Sequence, residues 1–208
     1  MKKGLTITYE VDAGLYINIT NRCSNNCEFC IRRNGDGAYG SDTLWLTREP
    51  TVEEIKKDID KRDLSKYSEV VFCGYGEPSY RLRDAREVAL YVKSKMPEMK
   101  VRINTNGHSD LILGEDSAPL YEGAFDTVSI SLNTPSPERY VEICHPIHKI
   151  DAYESMLSFA KNVKKYVQNT MFSVVKETLS EEELAECKEI ADKCGVTLKV
   201  RTYIPPEK

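Results

Sequence analysis

Six short runs rich in apolar and β-branched residues, at roughly 15–20, 69–73, 100–105, 127–132, 169–175 and 196–203, alternate along the chain with stretches that carry helix-start chemistry. Near-continuous apolar runs of this length predict parallel strands covered on their outer face. Between them, Thr51-Val52-Glu53-Glu54 and Ser180-Glu181-Glu182-Glu183 have the capping-box pattern, and Gly195 supplies a helix stop. Repeated βα units connect in a right-handed sense and lay successive strands side by side. A complete eight-unit barrel takes about 250 residues. Six units in 208 residues, ending in a sixth strand and Pro205-Pro206, therefore predict an α/β fold of one domain over 1–208: an open, partial (β/α)6 TIM-like barrel.

Loops beyond the C-terminal ends of such strands converge on one mouth, so the functional residues are sought there. The first strand is followed by Cys23-Ser24-Asn25-Asn26-Cys27-Glu28-Phe29-Cys30, three thiols within eight residues. A [4Fe–4S] cluster takes four thiolates, and three from one tight loop leave one iron open to a chelating small molecule. The second strand runs into Cys73-Gly74-Tyr75-Gly76-Glu77-Pro78. Its glycines predict close backbone approach to a ligand and positive φ, and its carbonyls suit an ammonium group. Asn104-Thr105-Asn106-Gly107 and Ser129-Ile130-Ser131-Leu132-Asn133 follow strands three and four with small hydrogen-bonding groups suited to a ribose or an amino acid. Arg201 on the sixth strand is a candidate partner for a carboxylate.

Composition narrows the class. No apolar stretch reaches the roughly 18 residues of a membrane helix, and Met1-Lys2-Lys3 leads into polar Thr6–Glu10 without a signal-peptide core, so a cytoplasmic protein is expected. A net charge of −4 gives no clear nucleic-acid signal, although arginines recur near the functional edge. Seven cysteines, three clustered and four scattered, argue for reduced thiols rather than a disulfide framework. Cys187 and Cys194 share a helical stripe with Leu184 and Ala191 and are expected in the core, and Cys73 is expected to be a packed thiol.

Several segments carry two readings. The three clustered cysteines also suit a zinc knot, completed from Cys144-His145-Pro146-Ile147-His148. That segment is otherwise a solvent-facing or a substrate-facing loop. Asn34–Gly40, with three glycines, is a mobile lid over the cluster or a plain connector, and Glu77 binds a ligand or caps a neighbouring element.

Taken together, C-x3-C-x-aromatic-C with Phe29 in the aromatic slot, Gly76-Glu77-Pro78 after strand two and the six βα units resemble the radical S-adenosylmethionine (SAM) superfamily. More narrowly, Asn18-Ile19-Thr20-Asn21-Arg22, Leu44-Trp45-Leu46, the segment 71–78, 104–107 and 129–133 look like the small TatD-associated radical SAM proteins. The resemblance implies that Cys23, Cys27 and Cys30 bind three irons of a [4Fe–4S] cluster and that SAM chelates the fourth. It implies backbone contacts from Gly74, Tyr75 and Gly76 to the methionine amino group within the motif that includes Glu77. It assigns Asn104, Ser131 and Asn133 to the methionine carboxylate or ribose, Val175 to adenine, and Arg201 to a further contact. The chain departs from the family in lacking a clear Gly-x-Ile-x-Gly segment around strand five.

The implied activity is reductive cleavage of SAM to a 5′-deoxyadenosyl radical that acts on an unknown substrate. A flavodoxin or ferredoxin serves as reductant, and a bulky substrate or partner, such as a TatD-like hydrolase, closes the open barrel. Other readings are a glycyl-radical activating enzyme, a 7-carboxy-7-deazaguanine synthase-like enzyme, or a non-catalytic zinc-binding scaffold.

Overall fold

A computed structural model describes residues 2–203. Its centre is one seven-stranded sheet in the order β1 (Thr8–Val11), β2 (Gly14–Ile17), β3 (Glu69–Phe72), β4 (Lys100–Thr105), β5 (Thr127–Ser131), β6 (Asn169–Val175) and β7 (Thr197–Arg201). From β2 to β7 all neighbours are parallel, which is the expected six-strand partial barrel. The expected residues 202–203 of the last strand lie beyond β7, and the Pro205-Pro206 stop lies outside the described residues.

One strand was not expected. The polar run Thr6–Glu10 supplies most of β1, which pairs antiparallel with β2 from Thr8↔Ile17 to Val11↔Gly14. Only Asp12 and Ala13 connect the two strands, and Asp12 takes a left-handed φ of 51°, the backbone that a two-residue hairpin needs. The hairpin adds Tyr9 to the same wall as Tyr16, with ring centroids 5.4 Å apart.

The strands are two-faced rather than apolar throughout. Leu15, Ile17, Val70, Phe72, Val101, Ile103, Val128, Ile130, Phe172 and Val174 are fully buried in one core cluster under the helices. Each such burial contributes about 1.5–3 kcal/mol relative to exposure. The alternate positions, Tyr16, Arg102, Asn104, Ser129, Ser131, Ser173, Val175, Lys199 and Arg201, line a cavity on the other face. A buried apolar face against helices and a polar face against a cavity is the period-2 arrangement that a ligand-holding half barrel requires.

The helices carry the sheet from outside: α1 (Val52–Ile59), α2 (Leu82–Lys95), the short α3 (Ser109–Leu113), α4 (Pro137–Cys144), α5 (Asp151–Val163) and α6 (Glu181–Cys194). Both expected capping boxes form, Thr51 with Glu54 and Ser180 with Glu183. Gly195 ends α6 at φ 72°. Cys187, Ala191 and Cys194 face the core as their spacing predicts.

Candidate active site

The cysteine loop leaves β2 and is fixed from several directions. Asn26 N donates to Cys144 O at 2.9 Å and Glu28 N to Ile143 O at 3.0 Å, which lays the loop along the end of α4. Arg33 Nε donates to Cys27 O at 2.9 Å, and Arg32 Nη2 to Asn25 O at 3.1 Å. The recurring arginines are thus staples of this loop.

Beneath the loop runs a chain of buried polar groups. Asn106 Nδ2 donates to Ser24 Oγ at 2.7 Å, and Ser24 Oγ meets His108 Nδ1 at 3.0 Å. His108 Nε2 meets the Tyr140 hydroxyl at 3.1 Å, which accepts from Asn25 Nδ2 at 2.9 Å. Burial, with the His148 ring beside it, pushes His108 down to about 3, so its imidazole is neutral near pH 7 and donates from one nitrogen while accepting at the other. Ser24 and Asn25 lie between two of the clustered cysteines, and this chain ties them to the ends of β4 and α4.

Cys23, Cys27 and Cys30 are free and partly exposed, and all three line one cavity of about 330 Å³. Burial pushes the Cys23 thiol up to about 12. Cys27 is raised first by its hydrogen bond with Cys144 and then by burial, and Cys30 by burial. A metal must therefore displace protons to bind here. Among the described residues no three His, Cys, Asp or Glu side chains converge as ligands of a single ion. A multi-iron cluster places each thiolate on a different iron and holds the sulfurs further apart than one tetrahedral ion does.

The segment proposed as a source of further zinc ligands is engaged elsewhere. Cys144 is buried against Cys27 and accepts from Asn133 Nδ2 at 3.4 Å. His145 Nε2 meets Glu28 Oε1 at 3.2 Å, and the His148 ring lies 6.4 Å from His108. Residues 144–148 face solvent in part, at His145 and Ile147, and also brace the cysteine loop from behind, where Ile147 N donates to Ser24 O at 2.9 Å.

The other expected residues line the same cavity: Phe29, Gly74, Tyr75, Gly76, Glu77, Asn104, Ser131, Asn133, Val175 and Arg201. The reason for the glycines differs from the expected one. Neither Gly74 nor Gly76 has positive φ. A Cβ at Gly74 would strike the Asn18 amide, and one at Gly76 would strike the Thr20 carbonyl and come within 2.7 Å of Arg22 O. They let the end of β3 press against the entry to the cysteine loop, where Glu77 N also donates to Arg22 O at 2.7 Å.

Glu77 is a buried clamp. Its Oε1 accepts from Ser79 N at 3.0 Å and Thr105 Oγ1 at 2.8 Å, and its Oε2 from Asn106 N at 2.6 Å. Burial raises its pKa while these donors oppose the rise. Capping of a neighbouring element is thus one of its roles. Cys73 is not packed away as expected; it is partly exposed and lines the cavity, where burial still raises its thiol.

Residues 34–40 contribute Ala38 and Tyr39 to the cavity wall and are tied to it by hydrogen bonds. The Tyr75 hydroxyl donates to Gly35 O at 3.0 Å and Gly37 O at 2.7 Å, and Leu44 N donates to Asp36 O at 2.8 Å. Ala38 is buried. At the far side the Tyr203 hydroxyl reaches Asn34 Oδ1 at 3.4 Å, so the loop spans from the cysteines to the end of β7.

Two observations test whether the expected cofactors fit. Three free thiols from one loop face the cavity, and Asn133, held at φ 64°, keeps its Oδ1 buried there with no hydrogen-bond partner. An orphan acceptor of this kind is costly unless a ligand donor meets it. The donor set and the open acceptor both fit a cluster with an organic ligand beside it.

The Radical SAM superfamily model matches residues 17–190. The chain belongs to the radical SAM superfamily. Members of this superfamily use a [4Fe–4S] cluster and SAM and are enzymes. The chain is 25% identical over 195 residues to a GTP 3′,8-cyclase of Clostridium perfringens, covering 92% of this chain and 55% of that protein. It is 32% identical over 127 residues to a GTP 3′,8-cyclase of Lactiplantibacillus plantarum, covering 61% and 35%. The chain thus spans about half or less of the length of these relatives. Among solved structures, a radical SAM methyltransferase from Sphaerobacter thermophilus superposes with a TM-score of 0.64 at 13% identity, covering 93% of this chain and 57% of that one. HydG, a maturase of the [FeFe]-hydrogenase, superposes with a TM-score of 0.60 at 16% identity, covering 93% and 43%. At such identities these two structures speak for the fold. Among the described residues no helix is long and apolar enough to cross a membrane.

Sequence reasoning missed Ser24, His108 and Tyr140 as supports of the cysteine loop, and Tyr9, Tyr16, Arg102 and Lys199 as cavity walls. For Tyr9 and Tyr16 the signal was present, because Asp12-Ala13-Gly14 between two β-compatible runs is a hairpin turn.

Proposed function

We propose that this chain binds a [4Fe–4S] cluster through Cys23, Cys27 and Cys30 and cleaves SAM reductively at the open iron. The convergence of the three thiols with the ends of β3, β4, β5 and β6 on one cavity carries this reading. When bound, the cluster and SAM supply a 5′-deoxyadenosyl radical.

The protein's own residues bind, orient and shield. The backbone of Gly74–Gly76 lies where an ammonium group would meet it, and Asn133 Oδ1 is an open acceptor for an amino or ribose hydroxyl group. Asn104 and Ser131 offer further polar contacts, and Val175, buried at the end of β6, gives an apolar surface for adenine. Phe29, Ala38 and Tyr39 stand in the cavity wall with the thiols. Asn106 Nδ2 is aimed at Cys23 Sγ at 4.0 Å and Cys144 is hydrogen-bonded with Cys27, and the polar neighbours of the sulfurs are a means of setting the cluster potential.

The segments 18–22, 44–46 and 71–78 support the narrower reading as a TatD-associated member, with a TatD-like hydrolase as partner and a flavodoxin or ferredoxin as electron donor. Co-purification of a tagged chain with a TatD-like hydrolase tests the partner. The similarity to the Clostridium perfringens GTP 3′,8-cyclase covers 92% of this chain, and it supports SAM cleavage and leaves the substrate open.

Anaerobic reconstitution followed by iron and sulfide analysis tests the ligand set. Roughly four irons and four sulfides per chain are expected for one cluster, with loss of both in Cys27→Ala. Stoichiometric zinc without sulfide would point to the scaffold instead.

A further inference from the structure

Side chains of β1, β2 and β7 also line the cavity, Tyr9, Tyr16, Lys199 and Arg201 among them. Four charged side chains face the cavity: Glu77, Arg102, Lys199 and Arg201. Two are already neutralised or engaged. Both carboxylate oxygens of Glu77 hold donors at the ends of β3 and β4. Arg102 forms a two-pronged pair with Glu69, Nη2 to Oε1 at 2.6 Å and Nε to Oε2 at 3.0 Å.

Lys199 and Arg201 remain. Among the described residues neither forms an ion pair, and Arg201 Nε is buried without a hydrogen-bond partner. Alternate residues on one strand point the same way, so both project from β7 into the cavity. The register puts Lys199 beside Ser173 and Arg201 beside Val175, and all four line the cavity. Tyr39 stands close enough that the Arg201 charge acts on its hydroxyl, and its backbone is held at φ 55°, a left-handed conformation unusual for a bulky residue. The cations that act on the clustered thiols are Arg32 and Arg33, whereas Arg201 acts on Cys73 and Tyr39. Arg201 projects from the end of β7 beside Val175, into the same cavity as Cys73 and Tyr39.

We propose that Lys199 and Arg201 form an oxyanion subsite for the small molecule on which the radical acts, so that the substrate carries a carboxylate or a phosphate. This rests on the reading of the cavity as a radical SAM site. A guanidinium presents a planar fork of donors matched to either oxyanion, and the lysine adds a point charge beside it. A buried guanidinium nitrogen with no acceptor is satisfied when such a group enters. The anion would anchor at β7 and leave the remainder of the molecule against Tyr16 and Tyr39, facing the thiol side of the cavity.

The test is calorimetric titration of the reconstituted protein, with SAM present and ionic strength fixed with chloride, using inorganic pyrophosphate in one arm and malonate in the other. Saturable binding of at least one is expected, and the arm that binds identifies the oxyanion. Arg201→Gln and, separately, Lys199→Gln are each expected to weaken it by about tenfold, the loss of one charge-assisted hydrogen bond. Lys199 lies on an exposed stretch of β7, so its variant reports even if Arg201→Gln folds poorly. The proposal is overturned if neither anion binds above chloride, if both variants bind as wild type does, or if SAM displaces the anion competitively. A tenfold rise in the SAM concentration needed for half-maximal 5′-deoxyadenosine formation by Arg201→Gln would also overturn it, by placing that arginine on SAM. Failure of the wild-type protein to form 5′-deoxyadenosine sinks the radical SAM reading itself, independently of the titrations.

Discussion

Replacing Tyr140 by Phe removes one oxygen and almost no volume, so its effect isolates the polar support beneath the cysteine loop. The hydroxyl accepts from Asn25 Nδ2 at 2.9 Å and meets His108 Nε2 at 3.1 Å, and Tyr140, His108 and Asn25 are all buried. Without it, the Asn25 amide and one imidazole nitrogen lose their partners in a site that water does not reach, and Asn25 Oδ1 already has no hydrogen-bond partner. A buried polar group left unpaired costs about 1–3 kcal/mol. Two such groups that relax together give a destabilisation of about 2–4 kcal/mol. Urea unfolding of the cluster-free, reduced protein measures this as a lower midpoint at unchanged slope. Because Asn25 lies between Cys23 and Cys27, the reconstituted variant should also release iron faster to a chelator. A stability change below about 0.5 kcal/mol with wild-type iron release would refute the assignment of this chain of hydrogen bonds as the support of the loop.

Other outcomes follow from the same geometry. His108 binds a proton only near pH 3 when folded but near its ordinary 6.5 when unfolded, so its contribution to stability is complete above 6.5 and is lost as pH falls from 6.5 toward 3. Unfolding at pH 7, 6 and 5 should show wild type losing up to about 1.4 kcal/mol more per unit than His108→Gln, and equal slopes would contradict the assignment. Cys144→Ala removes a hydrogen bond at Cys27; removing a donor from a cluster sulfur should lower the potential by roughly tens of millivolts in a redox titration, whereas no shift would place Cys144 outside the cluster's influence. Gly76→Ala drives a methyl group into the Thr20 carbonyl. It should cost about 1–3 kcal/mol and reduce iron retention, and a wild-type melting temperature would show that the contact relaxes freely.

Much of this architecture is legible in the sequence because local chemistry and global fold agree. The run 169–175 is β6 residue for residue, and Thr51 and Ser180 cap the helices that their patterns announce. The thirteen residues expected at the site on motif and resemblance all face one cavity. What stayed hidden depends on contacts between distant segments. No local pattern links Ser24, Asn106, His108 and Tyr140, whose partners lie 32 to 84 residues apart. Gly74 and Gly76 were rightly marked as tight, but positive φ is not the reason; a Cβ there would strike Asn18, Thr20 and Arg22 of this same chain. Arg201 was legible as a candidate carboxylate partner, but Lys199 was not marked, and that the two line one cavity beside Ser173 and Val175 comes from the sheet register. Cys144 and the two histidines after it looked like a metal motif because the residue types match, yet their partners are Cys27, Asn133, Glu28 and His108.

The most direct measurement is formation of 5′-deoxyadenosine by the anaerobically reconstituted chain with SAM and dithionite. The account predicts that the nucleoside forms together with methionine, and that Cys23→Ala, Cys27→Ala and Cys30→Ala each abolish it. Wild-type yield from any one of these three variants would contradict it.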